Sequence, residues 1–230
     1  MLSCALNAVV ATITLLTAAV QDVRSRLVDD RTWVGGAMLG LPFTTYSLTR
    51  CGAPTNSLQQ ILAGLILVAI LTASWRLKLM GEADVLAYLT LEIIHPVEAG
   101  SLLPPAFSAF LYSKILMLAI PPIQLMVNLV KVAGEPNLLR DIDDPLWKKL
   151  LALALLTTNP SLGSVPAEEV RQGRRRLVLS RVLAPLEAKV PENGGSRWYV
   201  PAYPLIPFIL LGYVLSLLAG DPLALLMQST

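Results

Sequence analysis

The chain has 230 residues, 54% of them hydrophobic and only 15% charged, with a formal net charge of +2. Soluble domains carry about 25% charged residues, and several apolar runs here approach the span of a bilayer, so the composition excludes an ordinary soluble domain and points to a polytopic membrane protein. A charge so near zero argues against a nucleic-acid surface, and two cysteines, Cys4 and Cys51, without a C-x-x-C pair or Cys/His cluster leave nothing from which to build a zinc site.

Residues 3–21 carry no charge, and with no basic leader segment or A-x-A site they read as a retained first span and not as a signal peptide. Residues 32–49 form a weaker second span in which Gly36 and Gly40 stand in G-x-x-x-G spacing, a pattern that lets helices approach closely. Residues 58–75 (LQQILAGLILVAILTASW) are a third span, closed by Trp75 at an interface. The fourth, beginning at Asp84, is interrupted at Pro96 and contains Glu92, His95 and Glu98. Residues 105–130 make a fifth span with Pro121 and Pro122 as a kink, and residues 201–219 (PAYPLIPFILLGYVLSLLA) make a sixth. His95, the single histidine, reads as structural.

The expected fold is therefore an all-α polytopic membrane protein: six transmembrane helices with a small cytoplasmic domain between spans 5 and 6. Residues 1–133 would hold helices 1–5, residues 134–200 the cytoplasmic domain, and residues 201–230 the last helix with a short tail. Within the polar section, LWKKLLALALLTT is too short to span and reads as a packed or interfacial helix. With the N-terminus outside, sixteen of the eighteen Lys and Arg fall on the inner side; only Arg50 lies outside, and Lys114 lies within span 5. Whether Cys4 and Cys51, both on the outer side in this scheme, form a disulfide is left open.

In this topology Asp22, at the inner end of span 1, and Asp84, at the start of span 4, share one membrane face. Two carboxyls in one partly desolvated site do not both ionise easily, so one tends to keep its proton. A pair with one proton between them can polarise a peptide carbonyl and deprotonate a water. The plainer reading pairs Asp22 with Arg26 at i, i+4 and makes Asp84 a first-turn acid favoured by the helix dipole.

QDVRSRLVDDRTW after a first span, GEAD at the start of a fourth, and RWYVPAYPLIPFIL before the last one together resemble the membrane aspartyl peptidases of the G-x-G-D type, specifically the archaeal preflagellin and type IV prepilin peptidase branch. Ala83 stands where other branches have the second glycine. The resemblance implies catalytic Asp22 and Asp84, with Gly81 and Ala83 as the motif backbone before the second. It implies an endopeptidase that removes short basic leader peptides from preflagellin or prepilin-like precursors at the cytoplasmic face of the cell membrane. It implies neither cofactor nor metal, and no methyl transfer, because the cysteine-rich insert of bifunctional relatives is missing from this sequence.

Glu82, Asp29 and Asp30, near the same inner face, are candidates to attract a basic leader; balancing Arg24, Arg26 and Arg31 is their other reading. Beyond precursor proteins and the lipid bilayer no partner is indicated, and nucleic acid is not. The alternatives are a non-enzymatic proton-coupled carrier, with Glu92, Glu98 and Lys114 along a pathway, or a scaffold for pilus or archaellum assembly.

Overall fold

A computed structural model of the chain describes residues 2–50, 57–78, 80–171, 174–178, 180 and 196–228. The chain divides into two compact units, Met1–Met117 with Pro204–Thr230 and Leu118–Tyr203. In chain order the helices are α1 (Leu2–Ser25), α2 (Asp30–Arg50), α3 (Ser57–Arg76), α4 (Glu82–Ile94), α5 (Pro105–Met117), α6 (Ile120–Gly134), α7 (Asn137–Arg140), α8 (Leu146–Leu155), α9 (Ile206–Ala219) and α10 (Pro222–Gln228). The strands are β1 (Val165–Pro166), β2 (Glu168–Arg171), β3 (Arg174–Leu177) and β4 (Tyr199–Val200). The question of a Cys4–Cys51 disulfide falls outside the described side chains.

The first unit is built inside out, as a protein solvated by lipid should be. Long apolar side chains point outward, among them Val9, Ile13 and Leu16 of α1 and Leu58, Leu62 and Leu65 of α3. Small ones line the interior: Ala11, Ala18, Ala19, Ala87, Ala106 and Ala109 are buried. Helices in lipid associate by close packing and not by escape from water, which favours small interfacial residues. Gly36 and Gly40 illustrate this. A Cβ on Gly36 would run into the Thr14 side chain of α1, and one on Gly40 would lie 2.6 Å from Ile94 Cγ1 of α4. The G-x-x-x-G spacing thus seats α2 against two different helices.

Among the described residues three segments are long and apolar enough to cross a membrane, Leu6–Ser25, Ser57–Arg76 and the run Pro105–Gly134. The other expected spans are α2, with 21 residues, α4, with 13, and α9, with 14. At 1.5 Å per residue α4 is about 20 Å long, shorter than a hydrocarbon core of about 30 Å. It stops where the sequence says it must: His95 precedes Pro96 and leaves helical geometry, with φ −138° and ψ 67°. Backbone groups freed there are recaptured by side chains. Thr44 Oγ1 donates to the Ile94 carbonyl at 2.6 Å. Gln60 Nε2 donates to the carbonyls of Glu98 and Ser101, both at 2.8 Å, and its Oε1 accepts from Glu98 N–H. Irregular backbone at membrane depth persists when protein groups satisfy it in this way.

In the second unit α6 opens with Pro121 and Pro122 in its first turn, where a missing N–H costs nothing. The expected kink inside a fifth span is a break, with Leu118 and Ala119 in a turn between α5 and α6. The all-α expectation needs correcting here. β2 and β3 form an antiparallel hairpin, and β1 pairs antiparallel with β4 in the register Val165↔Val200. Short charged strands such as EEVR and RRRL lack the apolar alternation by which a strand is recognised. Their core is Leu138, Ile142, Leu153, Leu156 and the fully buried Trp198, whose Nε1 donates to the Leu138 carbonyl at 3.1 Å. Glu168 organises the unit: its carboxylate accepts the Arg197 and Trp198 backbone N–H groups at 3.2 and 3.1 Å and pairs with Arg175 at 3.0 Å.

Candidate active site

The first acid, Asp22, sits in the last turn of α1, half-buried. Its carbonyl accepts the Arg26 N–H at 3.0 Å, and Arg26 itself takes a left-handed conformation at φ 59°, which ends the helix. The i, i+4 ion pair between Asp22 and Arg26 that the sequence allows is not formed; one guanidinium nitrogen of Arg26 is buried without a hydrogen-bond partner. Asp22 Oδ2 instead accepts the backbone N–H of Ile206, at 3.1 Å, the first residue of α9. A carboxylate at a helix N-terminus satisfies an N–H that has no partner within the helix. Pro204 and Leu205, just before it, are not helical.

Asp84 occupies the third helical position of α4, behind the extended N-cap Gly81. It is 7% exposed. Its carboxyl lies against the Gly81 backbone at the start of the helix. A Cβ on Gly81 would lie 3.2 Å from Asp84 Oδ2, so the glycine at this position is a matter of room beside the carboxyl as well as of backbone freedom. Ala83, the departure from the double-glycine pattern, is half-buried and sits at the second helical position.

Asp84 feels two other charges, the carboxylate of Asp22 and the ammonium of Lys114. The two acids, 62 positions apart in the chain, are thus brought within electrostatic reach of each other. Lys114 comes from α5, half-buried, with Nζ 5.2 Å from the Phe110 ring centroid. The α4–α5 contact that carries it is fixed one turn beyond Asp84, where Tyr88 Oη and Ser113 Oγ share a hydrogen bond of 2.7 Å and the Tyr88 and Phe110 rings meet edge to face. Neither aspartate forms an ion pair among the described residues.

The three other sequence candidates, Asp29, Asp30 and Glu82, are all exposed. Asp29 has a structural task, since its Oδ1 accepts the Arg31 N–H at 2.9 Å and caps α2. Gln21, next to Asp22, fixes the connecting loop: its Oε1 accepts from Asp29 N–H at 3.0 Å and from the Thr32 hydroxyl at 3.2 Å. Nothing in the sequence singles out Gln21 or the Ile206 N–H, and Lys114 stands out there only as a candidate for a carrier pathway. A lysine inside an apolar run was the one visible signal among them. His95 is buried and shares a 2.9 Å hydrogen bond between Nδ1 and Tyr213 Oη, a packing role. Among the described residues no group of three or more His, Cys, Asp or Glu gathers to hold a metal ion.

A mainly helical, apolar chain thus sets two acids from separate helices within electrostatic reach of each other beside a helix N-terminus, groups suited to general acid–base chemistry. Residues 9–122 match the type IV leader peptidase family. The matched segment contains Asp22, Gly81, Asp84 and Lys114, and through it the chain belongs to that family. Among curated proteins none matches the chain.

Proposed function

We propose that the chain is an aspartyl endopeptidase that cuts the short basic leader from preflagellin or type IV prepilin-like precursors at the cytoplasmic face, with Asp22 and Asp84 as its catalytic pair. The observation that carries this reading is that the two carboxyls of α1 and α4 lie within electrostatic reach of each other, Asp22 held by the Ile206 N–H and Asp84 buried beside Gly81. One proton is shared by the pair. The acid member hydrogen-bonds the scissile carbonyl while the base member takes a proton from the attacking water, and a tetrahedral diol forms. Its collapse breaks the C–N bond, with the leaving amine taking a proton from the pair. Lys114 supplies a counter-charge that keeps the site from holding a lone negative charge in a poorly solvated place. Exposed Asp30 and Glu82 draw the positive leader toward the site.

The six-span plan, with the N-terminus outside and residues 134–200 in the cytoplasm, belongs to the same reading. It rests on the sixteen of eighteen Lys and Arg that it places on one side. The family membership supports prepilin-type peptidase activity, and the preflagellin branch is favoured by the resemblance of GEAD and RWYVPAYPLIPFIL.

The test is to incubate purified protein with a leader-bearing precursor beside Asp22→Asn and Asp84→Asn. Loss of cleavage in both folded variants is expected. An intact precursor with folded wild type would turn the assignment toward a carrier or an assembly scaffold.

A further inference from the structure

Helix α8 is apolar on two faces. One buries Ala152 and Leu153 in the core of the second unit. The other exposes Leu146 by 79%, Trp147 by 56% and Leu150 by 62%. With Leu151 these occupy positions i, i+1, i+4 and i+5, a single stripe along the helix. A helix apolar on both faces calls for a second apolar neighbour, and the neighbour is written into what α8 is tied to. Asn128 Nδ2 of α6 donates to the Leu153 and Leu156 carbonyls at 2.9 and 2.6 Å, and Gln124 Nε2 donates to the Leu156 carbonyl at 3.0 Å. α6 is the latter part of a run long and apolar enough to cross a membrane. Its own Ile123, Met126 and Val130 are exposed. α8 is thus tied to a helix with an exposed apolar side of its own.

We propose that α8 lies in the plane of the lipid–water interface, with Leu146, Trp147 and Leu150 inserted at the boundary of the acyl chains, as an anchor that holds the second unit to the bilayer α6 enters. Its length, ten residues, is about 15 Å, half of what a span needs. The lysines fit an in-plane helix. Lys148 Nζ turns to Asp144 at 3.0 Å and Lys149 Nζ to the Leu139 carbonyl at 2.9 Å, so both stems flank the stripe while their heads stay with polar groups. Trp147 suits the interface, with an apolar body and an N–H to leave in the wet layer. This inference stands whether or not the chain is a peptidase.

The experiment places a nitroxide label at Leu150→Cys in the full chain, with Cys4 and Cys51 changed to Ser, reconstituted into phosphatidylcholine–phosphatidylglycerol vesicles. The comparison site is Leu162→Cys, an exposed loop position. Collisions with oxygen should exceed those with a water-soluble nickel chelate severalfold at 150, with the reverse at 162. Equal access to the chelate at both sites, or protection of 150 from both reagents by a protein partner, overturns the proposal. The chain with both native cysteines gives a second readout: brominated lipid should quench the fluorescence that Trp147→Phe removes, and unquenched Trp147 emission also overturns it.

Discussion

In the second unit the buried carboxylate of Glu168 receives two backbone N–H groups and the Arg175 guanidinium, and Asp144 pairs with Lys148 and accepts the Leu177 N–H at 2.6 Å. In the first unit Asp22 takes, among the described residues, a single N–H, that of Ile206, and Asp84 is buried beside Gly81, within reach of another carboxylate and of a lysine that makes no ion pair with it. Acids of the first kind are matched until nothing is left over, and they hold a fold together. Those of the second kind keep lone pairs in reserve, and reserve is what chemistry needs.

That contrast breaks first at Glu168. Glu168→Ala would leave the Arg197 and Trp198 amides without their buried acceptor, and each buried donor left unsatisfied costs about 1–3 kcal/mol. Denaturant unfolding followed through Trp198 fluorescence should show it, and a loss below about 1 kcal/mol would blur the distinction between the units. Gly81→Ala should do the opposite: its Cβ crowds Asp84, so cleavage falls about tenfold to a hundredfold, in line with the cost of small misplacements, while the melting temperature stays close to wild type. Lys114→Met should lower kcat about tenfold, equivalent to about 1.4 kcal/mol, with KM little changed, and Lys114→Arg should restore most of the loss. A full-rate Lys114→Met would remove the lysine from the site. Smallest of all is the combined Asp29→Asn, Asp30→Asn, Glu82→Gln variant, which keeps a side-chain oxygen at position 29 to cap α2. It should raise KM for a basic leader about two- to threefold at low salt, and the difference should fade as salt is added.

What was legible in the chain follows from the range of each interaction. Helices α1 and α3 are written in composition, and Pro96, Pro121 and Pro122 mark where helices end and begin, because proline acts on its own backbone. GEAD exposed Gly81 and Asp84 through a local motif. The Ile206 N–H on Asp22 was invisible, since a backbone donor 184 positions away has no side-chain signature. Lys114 was seen as an ionisable group in an apolar run, yet its neighbour Asp84 depends on the α4–α5 contact through Tyr88 and Ser113. The hairpin of β2 and β3 was missed because its side chains are charged on both faces, and its register depends on ion pairs to Asp143 and Glu168 that no periodicity reveals.

The central claim is that Asp22 and Asp84 act as one unit. Single-turnover cleavage of a leader-bearing precursor by wild type, Asp22→Asn, Asp84→Asn and the double variant measures this directly, since groups that act together are grossly non-additive. If the two acids act together, the double variant is no slower than either single one. Losses that multiply would mean two acids working independently, and would contradict that claim.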